Sequence, residues 1–230
     1  MIKLIELTKK FGEKVAVDNL NFEIFSGEVF GLLGKNGAGK TTTIKMLTLQ
    51  LKPTSGEIIF DTSDEFKIKR LIGIVPQHLN FDQDLTVEEN LELHGRLYHL
   101  AKSERKMRID QLLKFVELES VRTSFIKNLS GGMKRRLLIV RALIHQPKIL
   151  FLDEPTVALD PQVRRKIWTL IQELKSQGIT IILTTHYIEE AENLCDRVAI
   201  LNAGKLIALD TTENLCAGKS LEEIFIELTG

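Results

Sequence analysis

Residues 29–44 read VFGLLGKNGAGKTTTI, and the rest of the chain is best understood outward from them. The apolar run at 29–33 reads as a buried strand, and Ile44 and Leu47 mark the inner face of a helix. Between them Gly34-Lys35-Asn36-Gly37-Ala38-Gly39-Lys40-Thr41 matches G-x-x-x-x-G-K-[ST] without a mismatch, in the strand–turn–helix setting the motif requires. Its glycines let backbone amides turn inward around a polyphosphate. Lys40 adds a point charge near the β- and γ-phosphates, and the Thr41 hydroxyl suits a magnesium ion. The helix beginning near Lys40 directs its positive end at the same anion. The stretch reads as a nucleotide site rather than a flexible glycine-rich turn.

A strand that feeds a phosphate loop implies neighbours ending at the same edge. Residues 148–152, 179–184 and 198–201 are apolar at successive positions, as strands covered on both faces are. The first ends in Asp153-Glu154. Asp153, at a strand tip, is the expected magnesium holder. Glu154, one residue on, points to the other side and is placed to orient or deprotonate an attacking water. His186 follows 179–184 by two residues, so Gly34, Asp153 and His186 all lie past the carboxyl ends of core strands, where open α/β sheets bind ligands.

Short β-type runs occupy 2–7, 15–17, 22–25, 56–60 and 72–75, the last stopping at Pro76. From Thr86 to about Phe115 the period is helical, with capping-box spacing at Thr86 and Glu89 and an apolar stripe of Leu91, Leu93, Leu97 and Leu100. Asp160-Pro161 caps and starts a helix through Trp168 that Gly178 ends. The expected architecture is one α/β domain over 1–230. A mainly parallel sheet core with an N-terminal antiparallel β region comes from 1–80 and 146–230, and a helical subdomain is inserted at 81–145.

Composition narrows the function. A chain of 230 residues suits one large α/β domain and needs no disulfide or metal staple. Its 31 Lys+Arg cancel 31 Asp+Glu, which argues against a bulk nucleic-acid binder, and 43% apolar content excludes disorder. Two cysteines, Cys195 and Cys216, without a CxxC pair, fit a reducing compartment and no structural metal. MIKLIELTKK is no signal peptide, and no apolar run approaches the ~20 residues of a membrane span. A soluble, cytosolic chain is expected, with membrane work done through another polypeptide. Lys134-Arg135-Arg136, Arg164-Arg165-Lys166 and the basic run 102–108 read as solvated helix faces; the cysteines and Trp168 read as packing residues.

Leu129-Ser130-Gly131-Gly132-Met133 opens an apolar helix at 137–144. A Ser-Gly-Gly at a helix start is either a second anion site or an N-cap after a tight turn, and the residues alone support both. The order of 34–41, Gln77, 129–132, 149–154, Leu159-Asp160 and His186 resembles the nucleotide-binding cassette of ABC transporters, over essentially the whole chain. LSGG placed about twenty residues before a strand ending in Asp-Glu is what makes the likeness specific. LSGGMKRRL at 129–137 and FLDEPTVALD at 151–160 look most like cassettes serving exporters of drugs, antibiotics, lipids or polysaccharides.

The resemblance implies a P-loop NTPase core hydrolysing ATP with Mg2+, powering export through separately encoded membrane subunits. It implies that Phe11 stacks on adenine and that Gly34, Lys35, Asn36, Gly37, Ala38, Gly39, Lys40, Thr41 and Thr42 wrap the phosphates. Thr41, Gln77 and Asp153 would hold the metal, with Gln77 sensing the γ-phosphate while its following loop docks the membrane partner. Glu154, His186 and Lys40 would form the catalytic set. Ser130, Gly131 and Gly132 would touch the γ-phosphate held by a second copy, so that two chains pack head to tail around two ATP. The implied partners are thus a second copy and integral membrane permease subunits, with no nucleic acid. The implied location is cytoplasmic, peripheral at the inner face of the cell membrane. Phe11 replaces the usual Tyr and loses its hydroxyl, which loosens base selectivity. Met133 replaces Gln beside the partner's phosphate, and Val157 replaces a Ser able to hydrogen-bond across the dimer. Nothing follows the helix-like 220–229, where some importer cassettes carry a regulatory extension, and this favours export. The alternatives are a non-transport ABC ATPase acting on nucleic acid or ribosomes, which would carry a second cassette, a long coiled coil or zinc cysteines, and a nucleotide-sensing module without turnover.

Overall fold

The computed structural model describes residues 1–216 and 218–230. From the amino end the chain forms β1 (Ile2–Phe11), β2 (Lys14–Ile24), β3 (Val29–Leu33), α1 (Lys40–Leu47), β4 (Ser55–Phe60), α2 (Glu65–Leu71) and β5 (Ile72–Val75). Helices follow: α3 (Val87–Leu97), α4 (Lys102–Phe115) and α5 (Gly131–Leu143). The chain then returns through β6 (Ile149–Asp153), α6 (Pro161–Ser176), β7 (Thr180–Thr185), α7 (Ile188–Leu194), β8 (Arg197–Asn202), β9 (Lys205–Thr211), α8 (Thr212–Cys216) and α9 (Leu221–Thr229).

Two sheets result. An antiparallel sheet has the order β2-β1-β4, and a six-stranded sheet runs β5-β6-β7-β3-β8-β9, parallel except for β9 at its edge. Burial on both faces explains the unbroken apolar runs. Val29, Leu33, Leu152, Ile181 and Leu183 face one core with the helices, while Phe30, Leu32, Phe151 and Ile182 face a second core shared with α1 and the antiparallel sheet. Gly31 of β3 has room for no side chain, since a Cβ there would lie 2.6 Å from the Cys195 sulfur. The register pairs Leu33 with Thr185 and Asp153 with Thr184, so the carboxyl ends of β3, β6 and β7 stand level. That alignment places the three loops bearing Lys40, Glu154 and His186 side by side.

Four details differ from the sequence reading. The runs at 15–17 and 22–25 belong to one strand, β2, kept continuous by register shifts against β1 and a left-handed Asn19 at φ 52°. The helical period at 86–115 is two helices, because His99 takes φ 58° and the chain reverses before α4. Leu91 is buried, but Leu93 and Leu97 are 46% and 67% exposed, so the stripe is not a single core face. Helix α2, capped by the Asp64 carboxylate, and edge strand β9 were not anticipated. The capping box at Thr86 and Glu89 is present as expected. Among the described residues no helix is long and apolar enough to cross a membrane.

The basic clusters are solvated only in part: Lys102, Lys106, Arg165 and Lys166 are exposed as expected, whereas several of the arginines are buried or half-buried against neighbouring elements. Arg108 donates to the Leu143 carbonyl at 3.0 Å and Arg136 to that of Val116. Arg164 lies 4.7 Å over the Tyr187 ring, and Lys166 meets Glu117 at 3.1 Å. Arg108 and Arg136 thus cross between helices and supply hydrogen bonds to carbonyls left open at helix ends. Cys195 is buried and Cys216 half-buried, both as free thiols, in keeping with packing roles.

Candidate active site

The turn after β3 is steric work by glycine. A Cβ on Gly34 would lie 2.5 Å from the Leu201 carbonyl oxygen, and Gly39 sits at φ 102° against the Ala16 carbonyl. Gly39 forms the N-cap of α1 without any capping side chain, which leaves the first-turn amides open to an anion. Lys40 is only 5% exposed. Its ammonium donates to the carbonyls of Gly34 at 2.8 Å and Lys35 at 3.3 Å, and stands 3.6 Å from Glu154 Oε1. Burial pulls its pKa below the ordinary lysine range, against the opposite pull of Glu154 and Asp153.

The two acids at the end of β6 face different partners, as the alternation of a strand demands. Asp153 accepts from the Thr184 hydroxyl at 2.6 Å and the Thr41 hydroxyl at 3.2 Å. Glu154 is left-handed, φ 48°, and its amide donates to the Thr184 hydroxyl at 3.0 Å. This kink aims its carboxylate elsewhere. Oε2 accepts from Gln77 Nε2 at 3.1 Å, and Oε1 lies 3.2 Å from His186 Nδ1. Six side chains singled out in the sequence (Lys40, Thr41, Gln77, Asp153, Glu154 and His186) thus form one connected cluster. Thr184 was missed. Its only signal was a hydroxyl near the carboxyl end of a buried strand that also carries Thr180 and Thr185.

A cleft of about 850 Å³ opens over the cluster, lined by Phe11, Val15, residues of the 36–42 loop, Gln77, Glu154 and His186. Phe11 is 51% exposed and offers a ring face for stacking. The Thr41 hydroxyl, the Asp153 carboxylate and the Gln77 amide oxygen are hard oxygen donors on this side of the cleft, a set that fits Mg2+. Lys35 turns its side chain away, donating to the Thr229 carbonyl at the end of α9 at 2.9 Å.

Ser130, Gly131 and Gly132 do not join this cluster. Ser130 is the N-cap of α5, its hydroxyl accepting from the Met133 amide at 3.2 Å, so the capping role is realised. Ser130 and Gly132 line a separate depression of about 140 Å³ with Val163 and Lys166, while Gly131 faces open space. Within one chain, nothing brings 130–132 to the cleft over Lys40.

A model of the ABC transporter family matches residues 17–157, from within β2 to the turn after Glu154. The chain belongs to the ABC transporter family. A second model, an AAA domain described as a putative AbiEii toxin of a Type IV TA system, matches 126–190. Among curated relatives, Nod factor export ATP-binding protein I of Cupriavidus metallidurans is 43% identical over 214 residues, which cover 90% of this chain and 70% of that one. The protein of the same name from Paraburkholderia xenovorans is 43% identical, covering 97% and 76%. A solved ATP-binding subunit of an ABC transporter superposes with a TM-score of 0.90 at 30% identity, over 100% of both chains. The cassette MJ0796, solved as a dimer in a post-hydrolysis state with ADP and Pi, gives 0.81 at 34% identity over 92% of this chain and 98% of that one. This ABC protein is therefore an ATP-binding subunit and an ATPase, with the antiparallel sheet, mostly parallel sheet and helical elements of the family.

Behind the ABC site lies a buried acid. Glu190 of α7 is fully buried, and Oε1 accepts from Thr156 Oγ1 at 2.7 Å and Trp168 Nε1 at 3.1 Å. Its Oε2 has no partner among the described residues. Trp168 therefore packs as expected while also donating to this acid. Desolvation raises the Glu190 pKa from its ordinary 4.5, outweighing the hydrogen bonds that lower it. The folded state then binds its proton more tightly than the unfolded state, so stability falls as pH climbs above 4.5. Glu190→Gln lacks this dependence and is expected to unfold at a higher temperature than the native chain at pH 8. The gap should close near pH 4.5, in thermal melts followed by circular dichroism across that window.

Proposed function

We propose that this ABC ATPase is the motor subunit of an exporter, acting as a head-to-tail pair of identical chains on separately encoded membrane subunits. The pair would sit at the cytoplasmic face of the membrane, and a nucleic-acid partner has no part in this reading. Residues 1–80 and 146–230 would form the ATPase core with its β region, and 81–145 the helical subdomain carrying the signature. The observation that carries the proposal is the division of phosphate-binding features between two faces. The Lys40–Glu154 cluster lines one cleft and Ser130 lies on another surface, so a complete site needs a second copy. The names of the Nod factor export relatives support the direction of transport.

In this mechanism the loop amides and Lys40 hold the triphosphate, the ammonium exchanging the Gly34 and Lys35 carbonyls for phosphate oxygens. Thr41, Asp153 and Gln77 are the residues that would hold Mg2+, whose charge would offset that of the phosphates when bound. Glu154 takes a proton from the attacking water, and Gln77 and His186 orient it through their contacts to its two oxygens. Ser130 and the glycines after it close on the γ-phosphate from the other copy, and loss of that group lets the pair reopen.

Two experiments test the parts. Ser130→Arg is expected to leave ATP binding by the single chain unchanged while abolishing the ATP-dependent dimer in gel filtration; a surviving dimer would refute the head-to-tail arrangement. Phe11→Ala is expected to raise the KM for ATP about tenfold with kcat little changed, because base–aromatic stacking contributes about 1–3 kcal/mol. Phe11→Tyr should behave as the native chain does. Equal KM values for Phe11→Ala and the native chain would place the base elsewhere.

A further inference from the structure

Arg135 lies in the second turn of α5, five residues beyond Ser130, and is only 5% exposed. Its guanidinium reaches across to the end of β5, where Nη1 donates to the Pro76 carbonyl at 3.1 Å and Nη2 to the Gln77 carbonyl at 2.9 Å. Gln77 in turn donates to Glu154 Oε2 at 3.1 Å. A buried cation is costly to keep in a protein interior unless its donors are satisfied. The same face of α5 already carries Leu138, Ile139 and Ala142 in the main core, so packing alone would be served by an apolar residue. What a guanidinium adds is a rigid planar fork whose two amino groups each hold one of two successive carbonyls in a fixed plane, an orientation that the rotating point charge of a lysine does not impose. Burial works against its charge, and the Asp153 and Glu190 carboxylates offset that only in part.

We propose that Arg135 is a positioning residue that couples the signature end of α5 to the water-directing carboxylate of the same chain. It fixes the main chain of Gln77 to α5. A shift of α5 when Ser130 grips a neighbour's nucleotide then moves the Gln77 amide on Glu154. Three links join Ser130 to Glu154: the first turns of α5, the Arg135 fork and the Gln77 side chain. In a head-to-tail pair this makes the hydrolytic readiness of each site depend on whether the other is filled. The inference rests on the paired reading above and adds to it the route of communication.

A double-mutant cycle on the full-length chain tests the route. Arg135→Met, Gln77→Ala and the combination are assayed for kcat, KM for ATP and thermal midpoint, with Arg135→Lys as the conservative variant. Arg135→Met is expected to lower kcat about tenfold with KM for ATP changed less than twofold. The double variant should be no slower than the slower single one, because both act through the same amide. Arg135→Lys should recover only a minor part of the rate. If Arg135→Met does not fold, the cycle is run with Arg135→Lys and Gln77→Ala, where the same non-additivity is expected. Rate losses that multiply in the double variant would overturn the inference, as would a kcat loss that Arg135→Lys fully restores. The paired reading is checked apart from this, by the ATP-dependent dimer of Arg135→Met in a Glu154→Gln background. A dimer that persists while rate losses multiply sinks the coupling route alone.

Discussion

Glu154→Gln is expected to slow phosphate release about 1,000-fold while leaving an ATP-dependent dimer that elutes intact from a sizing column. The substitution is isosteric, and an amide can still meet Gln77 and His186, which lie 3.1 and 3.2 Å from the carboxylate oxygens. It removes the only change that matters to the chemistry, a carboxylate able to take a proton. It also removes a negative charge from a site that must accept a polyanion, so closure of the pair should become easier rather than harder. The two readouts therefore diverge. Phosphate release measured with and without magnesium, beside gel filtration in ATP, separates them. Full turnover in this variant would remove Glu154 from the mechanism.

The second large effect is expected at Lys40. Lys40→Met should weaken ATP binding by the single chain about 100-fold, equivalent to about 3 kcal/mol, and abolish both hydrolysis and the dimer. The side chain is buried, so solvent screening does not soften the loss. Removing it leaves the Gly34 carbonyl without its donor, the Lys35 carbonyl with the Ala38 amide alone, and the Glu154 and Asp153 carboxylates without the positive charge beside them. Part of the cost falls on the fold, and thermal unfolding in the absence of nucleotide measures that part directly. Titration with a fluorescent ATP analogue measures the rest, and Lys40→Arg should lie between the two. Near-native affinity in Lys40→Met would mean that the loop amides alone hold the phosphates.

The phosphate loop, the acids after β6 and His186 were legible in the sequence because each follows an unbroken apolar strand. An apolar run with both faces covered can only be an inner strand, and the residues just past it can only be at the sheet edge. The parts that were not legible depend on partners far along the chain. Thr184 reads as one more strand residue until Asp153 is seen beside it at 2.6 Å. Arg135 and Arg136 sit in a basic triplet that looks solvated until α5 is packed against β5 and α4. Register shifts made two short runs out of the single strand β2, since a bulge breaks the period of two without ending the strand. The left-handed His99 gives no sequence warning at all, because its conformation is imposed by the turn between α3 and α4. The role of Ser130 stayed open between cap and anion site for a different reason. The hydroxyl caps α5 and lines a depression apart from the Lys40 cleft, so an anion role would call for a phosphate held by another molecule.

The carbonyl oxygens that surround the Lys40 ammonium carry a lesson about product release. They give the cation a resting place inside the loop, so an incoming triphosphate wins only the difference between its own oxygens and those of the peptide. Affinity is thereby tempered at its strongest contact. When spent nucleotide departs, the same two oxygens recapture the ammonium at once, and no naked buried charge has to form on the way out. A rotary or reciprocating machine needs such a latch: firm enough to be loaded, and built so that emptying it leaves nothing unsatisfied.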